Sequence, residues 1–190
     1  MAQGMYHYVA KAWQKPNAET LRQRMIDWRN SDSIVKVSKP LRIDRARQLG
    51  YKAKKGFVVA RVRLVRGGHK RTRPNAGRRS KRLHTRKNLK MNYQWIAEQR
   101  AGKKFSNLEV LNSYQIGKDG IYYFYEVILV DPQMPEIIND KTINWIANPA
   151  NEKRVFRGLT SSAKKSRGLR SKSRNLKVRP SIRSRGRLGK

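Results

Sequence analysis

Between residues 66 and 90 the chain carries seven arginines, four lysines and no Asp or Glu, and the chemistry open to such a set is the gripping of phosphate. A guanidinium presents a planar fork of donors that holds a phosphate through two hydrogen bonds or stacks on a base, which an ammonium cannot do. The set comprises Arg66, Lys70, Arg71, Arg73, Arg78, Arg79, Lys81, Arg82, Arg86, Lys87 and Lys90, with His84 counted among the candidate contacts. It lies within a longer acid-free block, residues 45–97, that adds Arg45, Arg47, Lys52, Lys54, Lys55, Arg61 and Arg63. A second acid-free block spans residues 153–190; its candidate contacts are Arg154, Arg157, Lys164, Lys165, Arg167, Arg170, Lys172 and Arg174. Tyr51, beside Lys52, Lys54 and Lys55, is the aromatic best placed by sequence to stack on a base.

The net charge of +34 is therefore concentrated, because residues 98–152 hold eight acids against five bases. Acid-free stretches repel themselves, and such repulsion is tolerated where a polyanion neutralises it; a nucleic-acid backbone is the commonest one in a cell. Gly, Ser, Asn and Pro interspersed among the bases let the backbone follow an irregular surface, which suits folded RNA better than the regular groove of duplex DNA. Two rivals share the charge: a DNA-compacting chromatin-type protein and a subunit of an RNA-modifying enzyme. The first would favour Lys-rich tails and a groove-reading element, the second a catalytic constellation.

That constellation is not found. His7, His69 and His84 are the only histidines, and the last two sit in stretches without a carboxylate, so no acid–base pair or oriented nucleophile can be built there. Without cysteine there is no thiolate metal site and no disulfide, and the remaining His, Asp and Glu have no ligand spacing. No enzyme activity, metal, cofactor or small-molecule substrate is expected. The longest apolar run, residues 121–130, is far short of the ~20 residues of a membrane span. A soluble intracellular protein is expected.

What must position the bases is a small body. Met5, Val9, Ala12 and Trp13 recur at helical spacing before Pro16, and Leu21, Met25 and Trp28 do so behind Asn17 as a cap. Residues 33–38 predict a short strand, and Asp44 the cap of a helix over 45–49. Residues 57–65 alternate as a strand, with Val58, Ala60, Val62 and Leu64 on a core face and Arg61 and Arg63 on a face turned towards an anion. A helix is predicted over 91–104, then two strands, 108–116 and 121–130, joined by a hairpin at Gly117-Lys118-Asp119-Gly120. Ile121, Tyr123, Tyr125, Val127 and Leu129 form the expected central core row. Ile137, Ile138, Ile143, Trp145 and Ile146 are expected to cover the sheet, and the acids of 98–152 to lie on the surface beside Lys and Arg. The expected architecture is α+β: one body from residues 1–65 and 91–152, with helices packed on a small mixed or antiparallel sheet. A basic RNA-binding insertion, 66–90, and a basic C-terminal tail, 153–190, leave it as irregular extensions. With so few apolar residues both extensions are expected to order only on RNA.

Several runs carry a resemblance that spans nearly the whole chain. They are Gly4-Met5-Tyr6-His7-Tyr8 through Trp13, Arg42-Ile43-Asp44-Arg45-Ala46-Arg47 leading to Leu49-Gly50-Tyr51-Lys52-Ala53-Lys54, Leu111-Asn112-Ser113-Tyr114, and Tyr125-Glu126-Val127-Ile128-Leu129-Val130-Asp131-Pro132. With the insertion after Gly67-Gly68 and the Arg-Gly-Leu-Thr-Ser-Ser-Ala stretch at 157–163, the chain resembles the large-subunit ribosomal protein family of archaea and eukaryotes numbered fifteen in the eukaryotic series. The resemblance implies a small α+β domain with extensions buried in large-subunit ribosomal RNA. It also implies neighbouring ribosomal proteins as partners, no catalytic activity, no membrane, and a cytoplasmic place in the ribosome.

Overall fold

An apolar run with a single charge, Tyr-Tyr-Phe-Tyr-Glu-Val-Ile-Leu-Val, has to be buried on both of its faces, and it supplies an inner strand of the sheet. The structure, a computed structural model, describes residues 3–68, 77 and 91–170. Four strands form one antiparallel sheet in the order β1 (Ile34–Val37), β2 (Phe57–Val65), β4 (Tyr122–Val130), β3 (Glu109–Lys118), with β3 and β4 joined as the expected hairpin. The helices are α1 (Met5–Gln14), α2 (Ala18–Asn30), α3 (Ile43–Gln48), α4 (Tyr93–Lys104), α5 (Pro135–Ile138) and α6 (Ser161–Ser166), with 3-10 turns at Asn144–Ala147 and Pro149–Asn151. Asn17 caps α2 as expected, its side chain accepting from the Thr20 N–H at 3.1 Å. Asp44 does not cap its helix: it lies inside α3, buried, its carboxylate 3.3 Å from the Arg42 guanidinium.

One sheet face carries Ala60, Val62, Leu64, Tyr125, Val127 and Leu129 against Ala97 and Ala101 of α4 and against Val155. Tyr123 packs at the margin of this row; Ile121, expected in it, precedes the strand and is 55% exposed. The opposite face carries Val59, Phe124 and Ile128 against Trp28 of α2 and Ala46 of α3. The side of β2 expected to look towards an anion is thus closed by a helix. Arg61 lies 5.4 Å over the Trp28 ring and donates to Ser31 Oγ at 3.2 Å, while Arg63 lies 4.8 Å over Tyr122 and donates to the Arg29 carbonyl. Arginine reads as polar in an alternating pattern, yet its long stem and flat head cover aromatic surface.

Val130, Ile137, Ile143 and Ile146 close the end of the sheet, whereas Ile138 and Trp145, expected beside them, are exposed. Gly56, at φ +87°, lets α5 approach: a Cβ there would stand 2.6 Å from Ile137 Cγ1.

Two expectations change. Of the middle acids, Asp119 and Asp140 do meet basic side chains, but Glu98, Glu109 and Glu126 are buried. The segment expected to leave the body at residue 153 stays on it to 170, with Val155 and Ala163 buried and α6 beside α4. A few apolar residues suffice because Val155 joins the core already formed on the α4 face, although Phe156 beside it stays exposed. Most of 66–90 and all of 171–190, where disorder in isolation is expected, lie outside the described residues.

Candidate nucleic-acid interface

The two flanks of the basic insertion are pinned to each other and to the C-terminal segment. Tyr93, in the first turn of α4, donates its hydroxyl to the Gly67 carbonyl at 2.6 Å and accepts the Gly67 N–H at 3.0 Å. Asn92, which caps α4 by accepting from the Trp95 N–H at 2.8 Å, also donates to the Ser162 carbonyl at 2.9 Å. Its own N–H reaches Ser166 Oγ at 3.1 Å. Gly67 and Asn92, between which the insertion runs, therefore meet α6, the last helix before the C-terminal basic stretch, at one corner of the body.

Beneath that corner sits a buried carboxylate. Glu98 lies on the stripe of α4 that carries Ala97 and Ala101, and it is fully buried. Thr160 Oγ1 and Ser162 Oγ each donate to its Oε2 at 2.6 Å, and Ser113 Oγ donates to Oε1. Burial pushes its pKa up; the three hydroxyls and the charge of Arg154 pull it back. The Thr-Ser-Ser stretch of 160–162 is thus fastened to α4 by buried hydroxyl–carboxyl hydrogen bonds from Thr160 and Ser162. Gly158, at φ +70°, makes the turn that brings it there, and its carbonyl accepts from Arg167 Nη1 at 2.9 Å.

The candidate RNA contacts divide by what their heads already touch. Arg154 is half-buried and donates to the carbonyls of Val110 and Leu111 at 2.7 and 3.0 Å, and burial lowers its pKa. Lys52 and Lys54 converge on the Asp140 carboxylate at 2.6 and 2.7 Å and hold it well below the usual carboxylate range. Arg61, Arg63 and Arg167 are half-buried in contacts of the body. Tyr51, expected to stack on a base, is the clearest correction: its ring is buried edge-on against Phe57, with centroids 5.7 Å apart. Burial there follows from the Ala46 carbonyl, which accepts the Tyr51 N–H at 3.0 Å and turns the chain back under α3.

Arg45, Arg47, Lys55, Arg66, Arg157, Lys164, Lys165 and Arg170 are exposed. Of these, Arg66 reaches the Asp119 carbonyl and lies 5.1 Å over Tyr123, and Arg157 reaches the carbonyls of Ala150 and Glu152. Lys70, Arg71, Arg73, Arg78, Arg79, Lys81, Arg82, His84, Arg86, Lys87, Lys90, Lys172 and Arg174 fall outside the described residues. The residues that sequence reasoning passed over are the positioning ones, Asn92, Tyr93 and Glu98. An Asn three residues before Trp95 is a cap signal, and a Glu on the Ala97–Ala101 stripe marks a buried acid.

No helix among the described residues is long and apolar enough to cross a membrane. A family model described as Ribosomal L15 matches residues 4–185.

Proposed function

The chain belongs to this ribosomal L15 family, and from that premise we propose that it is a structural component of the large ribosomal subunit that clasps folded ribosomal RNA with its two basic stretches. The observation that carries the reading is the shared corner: Gly67 is hydrogen-bonded to Tyr93, and Asn92 beside it to Ser162 and Ser166 of α6, so the insertion starts and ends where α6 leads towards the C-terminal stretch. Arg and Lys of 66–90 and 171–190 replace counterions between RNA segments, and the body sets where each stretch enters. Exposed Arg45, Arg47, Lys55, Lys164, Lys165 and Arg170 extend the phosphate-binding surface onto the body. The chemistry asked of the protein is neutralisation and positioning, and no catalytic group takes part. Neighbouring ribosomal proteins are its other partners.

Crosslinking in cells, followed by sequencing of the attached nucleic acid, is expected to return large-subunit ribosomal RNA; recovery of DNA in its place overturns the reading. The electrostatic mechanism has its own test. If ~8 of the eleven bases in 66–90 meet phosphates, they contribute a slope of roughly −6 to log affinity against log salt. Neutralising Arg78, Arg79 and Arg82 together should make the slope shallower by about 2 units, on every RNA tested. An unchanged slope with a lost preference for ribosomal RNA would mean that these arginines read bases.

A further inference from the structure

A cleft of about 410 Å³ opens beside the bulge of β3, and we propose that it holds a single nucleotide swung out of an RNA strand. The proposal rests on the RNA-binding reading and names a ligand for one place on that surface. The volume falls in the range of small-ligand sites. Trp145 forms one wall and is 41% exposed, a large exposure for a tryptophan in a folded domain. The Arg154 guanidinium lies 5.0 Å over its ring and is itself fixed by the carbonyls of Val110 and Leu111.

The bulge explains how that fixing arises. Val110 pairs with Leu129 and Asn112 with Ile128, so Leu111 is the extra residue, and its carbonyl is turned to Arg154. The result is a flat indole whose partner cation is half-buried and held by two carbonyls, a platform on which a planar base stacks at little further cost in order.

The rest of the cleft suits the remainder of a nucleotide. Lys164 and Arg170 line it, and no Asp or Glu does. Lys164 makes no ion pair with any described residue, and Arg170 Nη1 donates to Ser161 Oγ at 3.2 Å. Two cations beside a stacking platform are the recognition elements of a nucleoside phosphate: the base on Trp145, the phosphate on Lys164 and Arg170. A base held inside a duplex cannot reach such a cleft, so the site selects bulges and loops over continuous helix.

The test uses the full chain and three probes at one salt concentration: a hairpin RNA with a single bulged adenosine, the same hairpin without the bulge, and AMP. Wild-type protein is expected to bind the bulged hairpin about tenfold more tightly than the plain one. Trp145→Ala should erase that difference and leave the affinity for the plain hairpin unchanged, while Trp145→Phe, which keeps an aromatic face, should retain most of it. Equal binding of the two hairpins by wild type overturns the cleft and spares the RNA-binding reading; binding of neither overturns both. AMP bound as tightly as the bulged hairpin would assign the cleft to a free nucleotide and overturn its role in RNA recognition.

Discussion

The two faces of the sheet bury comparable apolar rows and differ in what each does with a carboxylate. On the α4 face Glu98 is met by hydroxyls, two of them from Thr160 and Ser162, more than sixty residues along the chain. On the α2 face Glu126 accepts from the Tyr114 hydroxyl and, at both oxygens, from the Leu41 N–H at 3.1 Å, and it stands opposite Arg61 in the β2–β4 register. Both pKa values are raised, burial being the main cause in each. The difference lies in what is tied down. Glu126 fastens the loop before α3, wholly inside the body, whereas Glu98 fastens the segment from which the last basic stretch leaves. Anchoring of the C-terminal segment is therefore separable from closure of the body, one face from the other.

The largest effects test whether there are two cores at all. Phe124 and Tyr125 are neighbours on β4 that point to opposite faces, Phe124 fully buried and Tyr125 nearly so. Phe124→Ala and Tyr125→Ala should each lower stability by about 3–5 kcal/mol in urea melts. A near-wild-type midpoint for Phe124→Ala would mean that the α2 face is a covering and not a core, and the comparison would collapse to one face.

That second core was the part of the fold least legible in the sequence. The strands, the hairpin and the caps at Asn17 follow from alternation, an Asp-Gly turn and a side-chain acceptor, all local signals. Which face of β2 is covered depends on α2, thirty residues away, and Arg61 and Arg63 hid it because an arginine over an aromatic ring has the same sequence pattern as an arginine in water. The family was legible from long runs such as the one around Tyr125–Pro132, and the match over residues 4–185 agrees with it. The site was legible as charge and not as geometry: a Lys-rich run says that phosphate can be bound. It does not say that Lys52 and Lys54 have Asp140 between them, since Asp140 lies more than eighty residues on.

A middle-sized effect separates the faces by function. Removing either carboxylate leaves buried donors without an acceptor, so Glu98→Ala and Glu126→Ala should each cost about 2–3 kcal/mol. Only Glu98→Ala should also raise amide hydrogen exchange across 153–170 and weaken RNA binding, because only there does the carboxylate hold α6 to α4. Equal protection of 153–170 in the two variants would show that Val155 and Ala163 hold the segment without Glu98, and the division of labour would be lost.

The smallest effect is the pH dependence, and its sign distinguishes the buried acids from the surface one. A carboxyl whose folded pKa is raised keeps its proton longer in the folded than in the unfolded chain. Its contribution to stability is thus complete below the ordinary Glu value of about 4.3 and is lost as pH rises through the raised value. Glu98 and Glu126 both act in this sense. Asp140 acts in the opposite one: Lys52 and Lys54 hold its pKa down, so its contribution is present above the ordinary Asp value of about 3.9 and fades as pH falls. With +34 charges on the chain, general repulsion also grows on acidification, so the informative quantity is the difference between variant and wild type at each pH. Glu98→Gln keeps an amide oxygen as acceptor and cannot ionise. Relative to wild type it should fare worst near pH 4, where the protonated acid is equally neutral and better fitted to the three hydroxyls, and should recover as pH rises towards 8. Glu126→Gln should show the same trend, because burial raises the Glu126 carboxyl too, against the hydrogen bonds from Tyr114 and Leu41 and the charge of Arg61. Urea melts from pH 4 to 8 measure both differences. A Glu98→Gln difference that stays flat over that range while Glu126→Gln shifts would mean that the hydroxyls keep Glu98 ionised throughout, and the two faces would then differ in how they hold their carboxylates.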